Sequence, residues 1–376
     1  MGRKGMNQKL TKYLDQHYKD SKSDLFAVFM EICIRLAKEG KFASLINQHS
    51  WMFLSSYEKL RKKLLTQTLI QSMLHLGPRA FEEIGGEVVQ STTFVLRKNY
   101  LTNYEGIYIR LVHESTAEQK RVKSKEAIKN KASKNFYAFS QEHFKEILGI
   151  PIAYWVNKNV YDIFSNNFKL NELAKPKHGM STGKNAEVLR NWFEVSIADI
   201  AFNVSNLVEF DATCKKYTPY NKGGSFRKWY GNQEFILRYD EFGRTLMNTF
   251  PGHRHDNRID YFKKGITWTF VSSSNLGVRI TPKGFVFDVA GSSVFPEDKD
   301  IYYLLAFMNT KLAFEFLKIQ NPTFNFQVGN IGNLPIIEPN LDVKEFIDQL
   351  TVENVSISKS DWDSFETSWD FKRHPF

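Results

Sequence analysis

A short basic and aromatic stretch is the part of this 376-residue sequence best suited to binding an anion. Residues 215–231 read KKYTPYNKGGSFRKWYG and contain five basic residues and no acid. Lysine and arginine neutralise phosphates, and a Gly-Gly pair lets backbone amides approach a ligand closely. The residues predicted to contact nucleic acid here are Lys215, Lys216, Lys222, Arg227, Lys228 and Trp229. A solvated basic hairpin is the alternative interpretation.

Two further charged segments need separate interpretations. The run GVRITPKG places Arg279 and Lys283 around a predicted turn, and an arginine at a strand tip can read guanine through two hydrogen bonds. We predict that both bind DNA, although ion pairs with the acidic tail (residues 338–370, nine acids and two lysines) are an alternative. Residues 120–134 hold seven basic residues and one acid. A charge run of this kind predicts a solvated helix face.

Other constellations that could do chemistry are weak. His253 and His255 could bind a metal together with Asp256 or Asp260, but loop histidines so close in sequence are usually solvated, and we predict no metal. The Thr-Gly-Lys at residues 182–184 lacks the leading glycine and the strand of a phosphate loop. No Ser–His–Asp arrangement, Walker loop or CxxC pair is evident.

Bulk composition favours a nucleic-acid partner in a reducing compartment. A net charge of +10 and a pI near 9.2 indicate an anionic partner, with nucleic acid first and an anionic membrane surface second. Cys33 and Cys214 are far apart, which argues against a disulfide framework and fits a cytoplasmic location. No apolar run approaches the ~18 residues of a membrane span, so we expect no membrane association.

The predicted elements form an α/β domain followed by an α+β domain. A helix is predicted over residues 24–39, with Asp24 as N-cap and Gly40 as the stop. Four strands are predicted at KFASLIN, TLIQSMLHLG, EVVQSTTFVLRK and EGIYIRLV, with a second helix capped by Ser55 or Ser56 between the first two. This order predicts the C-terminal half of a doubly wound sheet. Short strands and turns follow, so we predict domains at 1–165 and 166–376.

Several stretches resemble one family in the same order along the whole chain. They are QHSWMFLSSYEKLRKKLL, HLGPRAFEEIGGEVVQSTTFVLRK, GMSTGKNAEVLRNWFEV, YTPYNKGGSFRKWYGN and GITWTFVSSSNLGVRITPKGFVFDVAGSSVFP. They resemble the PglX family, the adenine-specific DNA methyltransferases of BREX phage-defence systems, which are related to type IIG restriction-modification methylases. The resemblance implies a methyltransferase domain, a target-recognition domain, S-adenosylmethionine as cofactor and double-stranded DNA as partner. Other defence-system proteins, or a complementing catalytic chain, are further implied partners.

The resemblance also implies roles for three apolar residues. A methylated adenine must leave the base stack, and Phe81 matches the family's aromatic residue that closes one face of the extruded base. Leu25 and Phe26 match positions that pack near the cofactor. Core packing is the alternative for all three. The family's Asn-Pro-Pro-Tyr tetrapeptide does not occur here, so we expect an internal segment that is inactive alone. A DNA-binding specificity module without activity of its own is the rival interpretation.

Overall fold

The computed structural model describes residues 1–81, 89–272, 275–322 and 325–375. The chain divides into two compact units, of which the first comprises Met1–Asn166 with Ile319–Pro322 and the second the remaining described residues. The predicted Gly85-Gly86 turn lies outside the described residues. The roles assigned to residues 1–165 and 166–376 stay predictions.

The first unit contains helices on a mixed sheet. Its helices are α1 (Gln8–His17), α2 (Leu25–Leu36), α3 (Glu58–Gln67), α4 (Ala117–Lys129) and α5 (Lys158–Asn166). Its strands are β1 (Phe42–Gln48), β2 (Leu69–Gly77), β3 (Ser91–Arg97), β4 (Glu105–Arg110) and β5 (Phe136–Ser140). The four predicted strands are confirmed as β1 to β4, whereas the aromatic β5 was missed.

The strand order in the first unit is β1-β3-β2-β4-β5. Strand β3 is antiparallel to both β1 and β2, β4 is parallel to β2, and β5 is antiparallel to β4. Strands β1, β2 and β4 therefore run in one direction, so their carboxyl ends lie at the same edge of the sheet. The α/β fold class is confirmed, and β2 with β4 is the one parallel pair among the described strands of the first unit.

Helix α2 shows how local sequence positions this core. The Asp24 side chain caps the helix by accepting a hydrogen bond from the Phe26 amide at 3.4 Å, as predicted. The helix ends at Leu36, before the predicted stop at Gly40. At α3 the predicted serine cap is wrong, because residues 55–57 form a 3-10 turn and Tyr57 occupies the N-cap position.

Two buried cations hold irregular backbone in the first unit. The Arg61 guanidinium donates to the carbonyls of Trp51, Leu54 and Gly149 at 2.6–3.1 Å. Lys120 on α4 donates to the carbonyls of Leu76, Leu111 and Glu114, although residues 120–134 were predicted to be a solvated face. That prediction is wrong for Lys120, which is only 3% exposed.

The second unit is built from small sheets and short helices. Its strands are β6 (Leu189–Asn191), β7 (Tyr217–Asn221), β8 (Phe235–Arg238), β9 (Gly265–Trp268), β10 (Val278–Thr281), β11 (Val286–Phe287) and β12 (Ser293–Val294). The described strands form one sheet in the order β11-β7-β8-β6 and another in the order β10-β9-β12.

The helices in this part of the chain are mostly short. They are α6 (Leu170–Leu173), α7 (Asn185–Val188), α8 (Leu207–Ala212), α9 (Glu241–Asn248), α10 (Ile301–Met308), α11 (Lys311–Gln320), α12 (Val328–Gly332) and α13 (Leu341–Trp362). The core of the second unit packs around Tyr220, Leu237, Tyr239 and Phe287.

Candidate nucleic-acid interface

The predicted basic stretch spans β7 and the long connection to β8. The antiparallel pairing of these strands begins at Tyr217 and Arg238, and residues 222–234 connect them. Gly223 has a φ of +90°, and a Cβ at this position would lie 2.8 Å from the Ala290 carbonyl oxygen. Glycine is therefore required where the connection passes close to residue 290.

Lys222 begins this connection and forms a partly buried ion pair. Its ammonium nitrogen lies 2.6 Å from Asp288 Oδ2, the same oxygen that accepts a hydrogen bond from the Tyr220 hydroxyl at 2.7 Å. The Lys222 side chain keeps a quarter of its surface exposed (25%), whereas that of Asp288 keeps 8%. The carboxylate therefore fixes the position of an ammonium group that still reaches solvent.

The next two cations also have partners within the chain. Arg227 donates to Asp361 Oδ2 at 2.9 Å and lies over the Trp362 ring, and Lys228 donates to the Asn309 carbonyl at 2.7 Å. Burial lowers the pKa of Lys228 below its ordinary value. The alternative interpretation, a solvated basic hairpin, is wrong for these side chains, because Asp361 of α13 and Asn309 after α10 are their partners.

Trp229 and Arg279 belong to one backbone ladder. The Trp229 amide donates to the Val278 carbonyl at 2.9 Å, and the Ile280 amide donates to the Trp229 carbonyl at 2.8 Å. Arg279 lies inside β10 rather than at a strand tip, is 2% exposed and donates to the Arg227 carbonyl at 3.3 Å. Burial lowers its pKa to about 10. This guanidinium is not presented to a groove, which corrects the placement predicted from the sequence.

Lysines at the outer part of the second unit are more accessible. Lys283 is exposed in the turn after β10. The Lys216 side chain keeps 52% of its surface exposed despite an ion pair with Asp199 at 3.6 Å, whereas Lys215 donates to the Ile200 carbonyl at 2.9 Å. Lys184, which the sequence analysis left aside, is also exposed. Lys184, Lys216 and Lys283 are thus cations that can meet a phosphate without first leaving a buried partner.

The three apolar residues assigned by resemblance occupy different environments. Phe81 is 45% exposed, at the end of a described stretch, so its ring is available for stacking. Leu25 packs beside a small cluster that contains Leu14, and the Phe26 ring lies 5.5 Å from the Tyr57 ring. Leu25 and Phe26 therefore make the contacts of core residues.

Buried polar side chains meet near the carboxyl ends of β1 and β2, where the sequence analysis assigned nothing. His49 Nδ1 lies 2.9 Å from His75 Nε2, and the Tyr154 hydroxyl lies 3.2 Å from His75 Nδ1. Burial lowers the pKa of His49 to about 4 and, with the charges of His49 and Arg110, lowers that of His75 well below its ordinary value. Both rings are therefore neutral at pH 7, and one nitrogen of the pair carries the shared proton.

The structure also shows the surroundings of the two loop histidines and the two cysteines. His253 Nε2 and His255 Nδ1 lie 3.1 Å apart, and no group of three or more potential metal ligands occurs in the described part of the chain. Cys33 and Cys214 are both free thiols. No helix in the described ranges is long and apolar enough to cross a membrane.

Comparison with known proteins finds two curated relatives that are similar to the whole chain. The chain is 38% identical over 381 residues to the adenine-specific methyltransferase PglX of Lacticaseibacillus casei (strain Zhang), covering 99% of this chain and 31% of the relative. It is 40% identical over 385 residues to the adenine-specific methyltransferase BrxX of Escherichia coli O9:H4 (strain HS), covering 100% and 30% respectively. Over its whole length the chain is therefore similar to members of the PglX family. It spans about a third of the length of these relatives.

A family model matches part of the chain, and solved structures share its fold. Residues 1–81 match the Eco57I restriction-modification methylase model. The fold is similar to the type IIL restriction-modification enzyme MmeI in complex with DNA, with a TM-score of 0.61, 10% identity and coverage of 100% of this chain and 50% of that one. A nuclease-deletion mutant of the type ISP enzyme LlaGI, in complex with a DNA substrate mimic, gives 0.52 at 12% identity, covering 93% and 33%.

Proposed function

We propose that this chain belongs to the PglX family and is part of an adenine-specific DNA methyltransferase of a phage-defence or restriction-modification system. The observation that carries the proposal is 38–40% identity, over essentially the whole chain, to relatives named adenine-specific methyltransferases. The methyl donor is S-adenosylmethionine, and the acceptor is the exocyclic amino group of adenine in double-stranded DNA. Two free cysteines and the defence role support a cytoplasmic location.

Within this activity, the first unit supplies part of the methyltransferase domain and the second unit binds DNA. Phe81 stacks on the extruded adenine, which its 45% exposure permits. Leu25 and Phe26 support the cofactor region only indirectly, because both pack in the core. The second unit contacts phosphates mainly through its accessible lysines, since phosphate contacts dominate affinity for duplex DNA.

The salt dependence of DNA binding tests the proposal that lysines of the second unit contact phosphates. Each neutralised phosphate contributes about −0.9 to the slope of log affinity against log salt, so three contacts predict a slope of roughly −3. Replacing Lys184, Lys216 and Lys283 by Gln should remove most of this slope while preserving the fold, because these side chains are exposed or half-exposed. Fluorescence anisotropy with a labelled duplex measures it.

The matched control uses cations of the first unit. Arg121, Lys125 and Lys129 lie on the exposed face of α4, and their replacement by Gln removes the same charge. If both triple variants lose the same amount of slope, the proposal that DNA binds these lysines of the second unit is wrong. A wild-type chain that does not bind the duplex at all would overturn the assignment of the second unit.

A further inference from the structure

A polar pocket in the second unit joins two motifs that are distant in sequence. The pocket has a volume of about 210 Å³, and its lining includes Ser181, Thr182, Gly183, Asn185, Lys222 and Asp288. The first four come from residues 181–185, whose Thr-Gly-Lys lacks the leading glycine and the strand of a phosphate loop. Lys222 comes from the predicted basic stretch. The fold therefore brings the turn at residues 181–185 and Lys222 into one pocket, although they are distant in sequence.

The hydrogen-bond acceptors in this pocket already have donors. Asp288 Oδ2 accepts from the Tyr220 hydroxyl at 2.7 Å and from Lys222 at 2.6 Å, and Asp288 Oδ1 accepts from the Ala290 amide at 2.7 Å. The Thr182 hydroxyl donates to Asn185 Oδ1 at 2.5 Å. These contacts give both carboxylate oxygens of Asp288 and the amide oxygen of Asn185 at least one donor within the chain.

The donors in the same pocket remain open. Among the described residues, the Asn185 amide nitrogen, the Ser181 hydroxyl and the Gly183 backbone N–H have no hydrogen-bond partner. The Lys222 ammonium group uses one of its three hydrogens on Asp288. A pocket whose acceptors already have donors, and whose own donors are open, is suited to an anion.

The backbone at Gly183, which lines the pocket, packs closely against residue 250. Its φ is +79°, and a Cβ there would lie 2.7 Å from Phe250 Cβ, so a larger residue would force the turn to move. The adjacent Lys184 lies over the Phe250 ring with its ammonium 5.2 Å from the ring centroid. This exposed lysine adds positive charge at the pocket rim and favours an anionic ligand.

We propose that this pocket binds a phosphate group of the DNA backbone through Asn185, Ser181 and Lys222. The inference rests on the proposed DNA-binding function of the second unit. Charge-assisted hydrogen bonds from several donors suit the oxygens of one phosphate. A base edge fits less well, because it generally presents donors as well as acceptors, and the pocket's own acceptors already have donors within the chain.

A pair of charge variants tests the pocket. Asn185→Asp places a carboxylate beside the bound phosphate, so we expect about a tenfold loss of duplex affinity at low salt and a slope flatter by about 0.9. The control is Asn340→Asp, an exposed N-cap residue of α13 whose aspartate caps equally well. Fluorescence anisotropy with a labelled duplex compares them. Equal behaviour of both variants would overturn the proposal.

A titration with inorganic phosphate tests anion binding by the pocket without DNA. In amide NMR spectra, millimolar phosphate should shift the Gly183 resonance saturably in the wild-type chain and in Asn340→Asp, but not in Asn185→Asp. If the duplex does not bind while phosphate does, the DNA-binding function fails and the anion pocket stands. If phosphate binds but Asn185→Asp leaves duplex binding unchanged, the pocket does not serve DNA, and the proposal is wrong. No phosphate-induced shift in any chain, together with no effect on the duplex, excludes an anion site.

Discussion

At the scale of single residues, Lys120 carries a larger structural role than its charged neighbourhood suggests. Its ammonium group donates to three carbonyls, those of Leu76, Leu111 and Glu114, at 2.7–2.8 Å. Lys120→Met removes all three donors and should lower the free energy of unfolding by about 2–4 kcal/mol. Lys123→Met, on the same helix with only an exposed ion pair to Glu126, should change it by less than about 1 kcal/mol. Urea denaturation checks both, and similar effects would contradict the assigned role.

The buried histidine pair predicts a specific pH dependence of stability. The pKa of His49 is about 4 in the folded state and about 6.5 when unfolded. The unfolded state therefore binds more protons between these values, and the free energy of unfolding falls as the pH drops from about 6.5 towards about 4. Each fully buried histidine contributes up to about 1.4 kcal/mol per pH unit in this window.

Replacing His49 tests whether the His49–His75 pair causes this pH dependence of the free energy of unfolding. His49→Gln should flatten the decline of the free energy of unfolding between pH 7 and pH 5, measured by urea denaturation at each pH. The His49→Gln variant will be less stable at pH 7, because the hydrogen bond to His75 changes, so only the difference between the two pH values decides. His17→Gln, at an exposed position, should leave the decline unchanged. A decline unaltered by His49→Gln would show that other groups cause it.

At the scale of elements, strand β1 forms an edge of the described sheet. It pairs with β3 on one side, and no described strand pairs with its other side. Phe42 and Ile46, which share one face of the strand, are 57% and 51% exposed. An open edge with an apolar face is a site for association of copies.

Self-association through this edge is the expected consequence at high protein concentration. Ile46→Lys should shift the chain towards monomer, since a lysine on an edge strand opposes pairing with another chain. Sedimentation velocity over a concentration series measures the shift. Val208→Lys, at a residue 80% exposed in the second unit, is the control. A wild-type chain that stays monomeric throughout would contradict this prediction.

At the scale of the whole molecule, the net charge of +10 is unevenly distributed. In the acidic tail, Asp361 Oδ2 lies 2.9 Å from Arg227 Nη1. This ion pair competes with DNA for a guanidinium that was predicted to contact a phosphate. Asp361→Asn should therefore strengthen duplex binding about two- to fivefold at low salt, in line with the ~1 kcal/mol upper range of exposed ion pairs. Glu353→Gln, exposed on the same helix, removes an equal charge and tests for a general field effect. Equal gains from both variants would show that the specific pair is unimportant.

The sequence by itself determined the fold class, four strands, the α2 cap and the family resemblance. These features depend on local patterns: short apolar runs, an aspartate before an amphipathic helix, and motifs kept in order along the chain. The family resemblance could be stated from the residues alone because several long motifs occur together, and comparison over the whole chain confirmed it.

Only the tertiary structure decided which charged residues are accessible. Arg279, Lys120 and Lys228 have basic side chains like their neighbours, yet each donates a hydrogen bond to a backbone carbonyl from a distant part of the chain. Sequence spacing does not report such partners, because burial and hydrogen bonding depend on which elements pack together. For the same reason, the pocket that joins residues 181–185 to Lys222 becomes visible only when the second unit is folded.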